Sequence, residues 1–266
     1  MKTRSLLTSA LALGLALCPA SAALAQAPQH FVAETPTARV DYWQVRAADI
    51  ARQLATPESL KPIRLVFVGD SITDFWHLDA NPWFPGKFCG RAVWDETFGG
   101  TNPAWAALNL GVSGDRIEHV LHRLQPAEQG GEGWLDRADL QPDRVFVLLG
   151  INNSFDAEKP AVESIVRGVS ATLARIRERK PNAQIVVQSL LPTDDPAKNR
   201  DLVQPVNAAL VAIAANGANM RYLDLYSGFV DAAGTQRREL FNDSLHPSQT
   251  GYRVWRDRVV AFLKAD

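Results

Sequence analysis

Short, unbroken runs of apolar residues alternate along the chain with longer stretches in which apolar residues recur every three or four positions. The short runs are rich in β-branched and aromatic residues, which is typical of strands buried on both faces of a parallel sheet. They cover Leu65–Val68, Ala106–Leu110, Val145–Leu149, Ile185–Leu191 and Tyr222–Leu225. The pattern therefore predicts five buried strands.

The longer stretches have the spacing of amphipathic helices. The residues that would share one helix face are Trp43, Ala47, Ile50 and Leu54 before the first strand, Ile117, Val120, Leu121 and Leu124 after the second, Val162, Ile165, Val166, Val169, Leu173 and Ile176 after the third, and Tyr252, Trp255, Val259 and Phe262 near the end. A further helix is predicted over roughly 199–215, with Pro205 at a kink or at its true start. This alternation predicts an α/β fold, a single domain with a doubly wound parallel sheet and helices on both faces.

The first 25 residues have the organisation of a signal peptide. Lys2 and Arg4 precede an apolar segment that is too short to span a bilayer, and Ala23-Leu24-Ala25 has the pattern of a cleavage site. We therefore expect a signal peptide over 1–25, a loose leader without periodicity over 26–39, and one folded domain over 40–266. The protein is accordingly predicted to be exported, either to the periplasm or out of the cell.

Composition narrows the classes of partner. The formal charge is −1, from 28 Lys and Arg against 29 Asp and Glu, and loss of the two basic residues of the signal peptide would make it −3. Nucleic-acid binding is not expected, because it requires a basic excess. Stable membrane insertion is not expected either, because no later stretch is long and apolar enough. Cys89 would be the one cysteine left after cleavage, and we interpret it as a small packed side chain.

Aromatic residues are concentrated between positions 75 and 98, where prolines and glycines exclude one continuous helix. They are Phe75, Trp76, Trp83, Phe84, Phe88, Trp94 and Phe98. We interpret this region as a long ordered loop beside the site, whose rings mostly form a satellite core. One or two of the rings could instead face a substrate, by stacking on a sugar or by lining an acyl slot.

Polar residues that follow the predicted strands form the candidate site. Ser71 follows the first strand, Gly111 the second and Asn152 the third, while Asp243 and His246 lie in a late loop. The carboxyl ends of parallel strands meet at one edge of a sheet, which is where open α/β sheets bind ligands. Taken singly, Ser71 and Asn152 could be helix caps, and Asp243 and His246 could be a turn residue and a surface residue.

Together these residues meet the requirements of acyl transfer. A serine hydroxyl is a weak nucleophile until a base removes its proton, and His246 can be that base. Asp243 can accept a hydrogen bond from the other ring nitrogen and so fix the tautomer. The backbone N–H groups of Ser71 and Gly111 and the side-chain amide of Asn152 could stabilise the oxyanion of the tetrahedral intermediate.

Four blocks of the chain, Gly69-Asp70-Ser71-Ile72, Gly111, Gly150-x-Asn152 and Asp243-x-x-His246, resemble those of the SGNH (GDSL) hydrolase family and occur in the same order. Residues 109–115 and 149–153 are similar to the platelet-activating-factor acetylhydrolase-like branch. The resemblance extends over nearly all of the chain after the signal peptide. It implies a flavodoxin-like sheet, with Ser71 as nucleophile, His246 as base, Asp243 as its partner, and Gly111 and Asn152 in the oxyanion hole.

We therefore expect an exported serine carboxylic-ester hydrolase that removes short acyl groups such as acetyl. Export and the aromatic region favour acylated carbohydrate, while lysophospholipids, aryl esters and thioesters stay open as substrates. The alternatives are an acyltransferase with the same residues and a non-catalytic carbohydrate-binding protein on the same fold. No metal or organic cofactor is expected, because His119 and His122 have no convincing third ligand nearby. The oligomeric state stays open.

Overall fold

The central sheet consists of β1 (Leu65–Gly69), β2 (Ala107–Asn109), β3 (Arg144–Leu148), β4 (Gln184–Gln188) and β5 (Met220–Leu223). All neighbouring strands are parallel, and their order across the sheet is β2-β1-β3-β4-β5. Every residue of β1, which lies between β2 and β3, is buried, so the sheet is covered on both faces there. The predicted α/β fold with a five-stranded parallel sheet is confirmed.

The structure, a computed structural model, describes residues 29–39, 44–155 and 158–265. The predicted signal peptide lies outside these residues. The helices are α1 (Gln44–Leu54), α2 (Pro57–Leu60), α3 (Ser71–Asp74), α4 (Arg91–Thr97), α5 (Ile117–Leu124), α6 (Ala161–Arg179), α7 (Pro196–Lys198), α8 (Gln204–Asn216) and α9 (Gln249–Lys264). Helices α5, α6 and α8 pack in one group and α4 packs against α9, which gives the sheet its helical layers.

The predicted fourth strand is too long. β4 ends at Gln188, although Leu190 and Leu191 beyond it are fully buried. The side chain of Asn207 in α8 satisfies the backbone that leaves the sheet, because it accepts from the N–H of Leu190 at 2.8 Å and donates to its carbonyl at 3.1 Å. An apolar run therefore marks burial here without marking sheet pairing.

The helix predicted over 199–215 is longer and interrupted. A π-helical turn over Asn199–Val203 joins α7 to α8, and it ends immediately before the Gln204-Pro205 start of α8. Proline has no N–H to donate to the preceding turn, which makes an irregular turn at this position physically reasonable.

The segment predicted as a loose leader is ordered where the structure describes it. Phe31 and Ala33 are fully buried, and Val32–Glu34 forms a 3₁₀ turn that packs on α6. Glu158 accepts hydrogen bonds from the backbone N–H groups of Val32 and Ala33, at 2.7 and 3.2 Å. The fold therefore begins at Phe31 instead of residue 40. The prediction was wrong because a single extended segment shows no periodicity even when its side chains are buried.

The aromatic rings of the 75–98 region are mostly core residues, as predicted, but they belong to the main core and not to a satellite. Trp76 is fully buried against Tyr252 and Trp255 of α9, with ring centroids 4.5 and 5.2 Å away. Phe98 packs on Phe67 of β1 at 5.3 Å. These contacts attach the region between β1 and β2 to the sheet and to the last helix, and hence to the edge where Ser71 lies.

Candidate active site

Ser71 is the first residue of α3, directly after the carboxyl end of β1. The cap of this short helix is Asp70, whose Oδ1 accepts the N–H of Ile72 at 3.0 Å. The capping role considered for Ser71 is therefore filled by its neighbour. The Ser71 hydroxyl instead faces the imidazole of His246, with 2.9 Å between Oγ and Nε2.

His246 is held from both sides by its own loop. Its Nδ1 lies 2.8 Å from Oδ2 of Asp243, and Oδ1 of the same carboxylate accepts the backbone N–H groups of Leu245 and His246 at 2.7 and 2.6 Å. Burial alone would raise the pKa of Asp243, but these hydrogen bonds outweigh it and lower the pKa to about 2. An ionised carboxylate can only accept, so Nδ1 carries the ring proton and Nε2 is left to accept from Ser71.

A stack of rings packs against the imidazole. Phe75 lies nearly parallel to His246, with centroids 4.8 Å apart, and Trp83 stacks on Phe75 at 5.3 Å. Phe75 is buried, whereas Trp83 is 57% exposed. The sequence placed these two residues in the aromatic region beside the site, but it carried no signal that they would stack on the histidine.

Gly111 does not present a free N–H to the site, contrary to the prediction for the oxyanion hole. Its N–H donates to Oδ1 of Asn109 at 2.8 Å, in a buried contact. A Cβ on Gly111 would lie 2.4 Å from the backbone nitrogen of Asp74. Glycine is therefore required here because the loop after β2 approaches the backbone of α3 too closely for any side chain.

Gly114, in the same turn, is the glycine with an exposed backbone. It has a φ of +78°, and no acceptor for its N–H is found in the part of the chain that the structure describes. The next residue, Asp115, accepts the side-chain amide of Asn152 at its carbonyl, at 2.7 Å. Asn152 is half-buried and its amide has a second N–H. The Gly114 backbone and the Asn152 amide therefore lie next to each other, a juxtaposition that the residue types alone did not distinguish.

The turn after β2 is fixed to the helix of Ser71 by a buried carboxylate. Oδ2 of Asp74 accepts both the N–H and the hydroxyl of Ser113, at 2.9 and 2.5 Å. Its Oδ1 lies 2.8 Å from Nε of Arg46, which also donates to the carbonyls of Asn109 and Gly111. Burial opposes ionisation of Asp74, but hydrogen bonds and the nearby Arg46 charge keep its pKa below the ordinary value.

The loop after β3 is positioned by Asn153, which follows the predicted site residue Asn152. Its Oδ1 accepts the N–H of Ile117 at 2.9 Å and its Nδ2 donates to Glu118 at 2.8 Å, both at the start of α5. The amide side chain thereby connects the loop after β3 to the helix that follows β2.

A cavity of about 190 Å³ adjoins the loop that carries Asp243 and His246, the catalytic loop. It is lined by Phe155, Thr193, Asp194, Asp195, Lys198, Ser244 and Leu245. A larger cavity of about 810 Å³ lies between α1, α4 and the edge strand β2, and Ser71, Asp243 and His246 line neither cavity. The size of a cavity therefore does not identify the position of the catalytic residues.

No cluster of three or more His, Cys, Asp or Glu suited to a metal is found over 29–39, 44–155 and 158–265. His119 instead makes a hydrogen bond within its own helix start, because its Nδ1 accepts the N–H of Arg116 at the start of α5. Within the same ranges, none of the helices has the length and apolar character needed to cross a bilayer.

Comparisons with known proteins show the family and the fold of the chain. Residues 67–254 match the GDSL-like lipase/acylhydrolase family. A platelet-activating factor acetylhydrolase IB subunit alpha1 from Pongo abelii is 32% identical over 193 residues, which cover 72% of this chain and 71% of the relative.

Solved structures of low sequence identity share the fold. A GDSL-like lipase from Bacteroides thetaiotaomicron has a TM-score of 0.59 at 18% identity, over 84% of this chain and 98% of the other. An acetyl-xylooligosaccharide esterase from Geobacillus has a TM-score of 0.53 at 22% identity, over 75% and 93% of the two chains. With the family match over most of the fold, the chain belongs to the GDSL-like lipase/acylhydrolase family and is a carboxylic-ester hydrolase.

Proposed function

We propose that the enzyme is a serine esterase that removes acetyl and similarly short acyl groups through an acyl-enzyme on Ser71. The observation that supports this most strongly is the continuous hydrogen-bonded line from Ser71 Oγ to His246 and on to Asp243, with distances of 2.9 and 2.8 Å. These are the distances at which a base can accept the serine proton without rearrangement.

The proposed reaction has two halves. Ser71 Oγ attacks the acyl carbonyl while His246 Nε2 accepts the hydroxyl proton, and the imidazolium then gives that proton to the departing alkoxide. Water, deprotonated by the same Nε2, attacks the acyl-enzyme carbonyl, and the proton returns to Ser71 Oγ as the carboxylic acid leaves. The Asp243 carboxylate stabilises the imidazolium in both halves.

The oxyanion of each tetrahedral intermediate needs donors that are already in place. We assign this role to the second N–H of Asn152, to the backbone N–H of Ser71 and to the backbone N–H of Gly114, which takes the place predicted for Gly111. The support is that Ser113 and Asp115, on either side of Gly114, are bonded to the helix of Ser71 and to Asn152.

A short acyl group is supported by the names of two similar proteins. The named relative and the named esterase act on different alcohols, yet both names specify removal of an acetyl group.

Two classes of alcohol are supported by specific observations. The 32% identity to a platelet-activating factor acetylhydrolase subunit favours a lipid alcohol. The exposed ring of Trp83 and the polar lining of the neighbouring cavity favour a carbohydrate alcohol, which is the substrate class that we propose.

Export is part of the proposal and is supported by the signal-peptide pattern of residues 1–25. Expression of the full chain in a bacterial host, followed by intact mass of the protein released from the periplasm, tests it. The expected mass corresponds to a chain that starts at Gln26. Recovery of only the uncleaved chain from the cytoplasm contradicts export.

Ser71→Ala tests the esterase proposal. It should lower kcat for p-nitrophenyl acetate by at least about 10³-fold and leave the circular dichroism spectrum unchanged. Ser227→Ala, at an exposed serine after β5, is the matched control and should retain the wild-type rate. Turnover by Ser71→Ala at the wild-type rate would reject the proposal.

A further inference from the structure

The exposed aromatic side chains of the described chain are concentrated around the catalytic loop. Trp83, Phe84 and Phe88 are 57%, 38% and 49% exposed and lie on one loop, and Phe155, at 63%, follows Asn152 by three residues. Exposed apolar residues scattered singly need no explanation, but a cluster of large rings beside a catalytic site marks a binding surface.

The loop that carries Trp83 is braced by internal hydrogen bonds. The backbone N–H of Asn81 donates to the carbonyl of Lys87 at 2.8 Å, and Oδ1 of Asn81 accepts the N–H groups of Trp83 and Phe84 at 2.9 and 3.2 Å. Asn81 is itself buried. An aromatic surface on such a braced loop loses little conformational entropy on binding, which favours affinity.

The same loop is bonded to the loop that carries the catalytic residues. Nδ2 of Asn242 donates to the carbonyl of Phe88 at 3.0 Å, and Lys87 Nζ donates to the carbonyl of Asn242. The N–H of Asn242 donates to the carbonyl of His246 at 2.8 Å. Asn242 therefore fixes the aromatic loop and the base relative to each other.

The ring of Phe75 lies between Trp83 and the imidazole of His246. Its inner face stacks on Phe75, at 18° and 5.3 Å, and Phe75 stacks on His246 at 4.8 Å, so the rings of Trp83 and His246 are no more than about 10 Å apart. Because the inner face is covered, the exposure of Trp83 belongs to its outer face. A sugar whose ester carbonyl is at Ser71 can reach that face with the same ring or with the next one.

We propose that the outer face of Trp83 binds a sugar ring of the substrate alcohol and thereby selects acetylated oligosaccharides. This inference rests on the esterase function proposed above. A flat aromatic face suits the C–H face of a pyranose, which also needs polar partners for its hydroxyl groups. Such partners are near the catalytic loop, in the Thr193, Asp194, Asp195 and Lys198 lining of the adjoining cavity.

A lipid alcohol fits this surface less well. An alkyl chain is best removed from water by a groove with apolar walls. Trp83 offers one plane, because its inner face is covered by Phe75, and among the other exposed rings of its loop Phe84 has the charge of Lys87 5.3 Å away. The surface therefore favours a sugar ring, with hydroxyl groups around its rim, over a long alkyl chain.

The test compares Trp83→Ala and Trp83→Tyr with the wild type on two acetyl esters, an acetylated xylo-oligosaccharide and ethyl acetate, by released acetate. We expect Trp83→Ala to raise KM for the oligosaccharide about tenfold more than KM for ethyl acetate, as befits the loss of one aromatic contact. Trp83→Tyr should restore most of the difference. Trp105→Ala is the matched control, because Trp105 precedes β2 and so lies at the opposite edge of the sheet.

Three results would overturn the inference. The KM values for both esters could change equally in Trp83→Ala, or kcat could fall equally for both, which would make Trp83 only a support for Phe75 and His246. Alternatively, the KM for a 1-alkyl-2-acetyl phospholipid could rise while that for the oligosaccharide stayed constant, which would assign the surface to lipid. Failure of the esterase proposal would give a different result from failure of this inference, because Ser71→Ala would then still hydrolyse both esters.

Discussion

One buried acid, Asp70, should make a large contribution to the pH dependence of the free energy of unfolding. Its side chain is fully buried, and only Oδ1 has a hydrogen-bond partner among residues 29–39, 44–155 and 158–265. Burial raises the pKa of Asp70 from 3.8 to about 7, against a partial lowering by the N–H of Ile72 and by His246. The unfolded chain therefore loses this proton near pH 4 and the folded chain near pH 7.

The sign and size of the effect follow from this difference in pKa. Between about pH 4 and pH 7 the folded state binds the proton and the unfolded state does not, so the free energy of unfolding falls as the pH rises. One unit of pKa corresponds to about 1.4 kcal/mol, so the full difference is about 4 kcal/mol and is reached above pH 7. Asparagine retains the cap and the shape of Asp70 but has no proton to lose.

Asp70→Asn should therefore gain stability relative to the wild type as the pH rises, by about 4 kcal/mol between pH 4 and pH 8. Urea unfolding of both proteins at pH 4, 6 and 8, followed by far-ultraviolet circular dichroism, measures this difference. Asp257→Asn, at a side chain that is 67% exposed, controls for the loss of a carboxylate. A difference between Asp70→Asn and wild type that is the same at all three pH values would refute the reasoning.

Three further predictions concern the site and its supports. Asp243→Asn should lower kcat by about 10³–10⁴-fold with little change in KM, because an amide no longer enforces the tautomer of His246, and steady-state kinetics with p-nitrophenyl acetate measures both. Asp74→Asn should lower the free energy of unfolding by about 1–3 kcal/mol, because it removes the buried charge that faces Arg46 and accepts from Ser113, while Asp49 still pairs with Arg46; urea unfolding would show no change if these contacts were unimportant. Burial raises the pKa of Cys89 to about 12, so its thiol should not react with a disulfide reagent at pH 8 until the protein is unfolded; rapid reaction in the native state would contradict the burial.

The strands and the chemistry were predictable because both depend on local signals. Leu65–Gly69 is a buried strand because its residues are apolar without interruption, and Ser71, Asn152 and His246 follow from residue type and order. The boundaries were harder to predict where side chains replace strand pairing. Beyond Gln188, the amide of Asn207 satisfies the backbone, and that partner lies in a later helix.

The misassigned features depend on contacts between distant parts of the chain. Gly111 and Gly114 are equivalent in the sequence, and only the approach of α3 to Gly111 shows which glycine is needed for packing. The burial of Phe31 was not predicted from the sequence, because the segment that contains it packs on α6, more than 100 residues later. The stacking of Phe75 between Trp83 and His246 likewise requires the last loop to fold back on the first.

The central claim, that Ser71 is the nucleophile activated by His246, is tested most directly by a fluorophosphonate probe and intact mass spectrometry. We predict one adduct per chain, located on the peptide that contains Ser71, with loss of esterase activity in proportion to labelling. His246→Ala should abolish the labelling. An adduct on a different residue, or full activity in a completely labelled enzyme, would contradict the account.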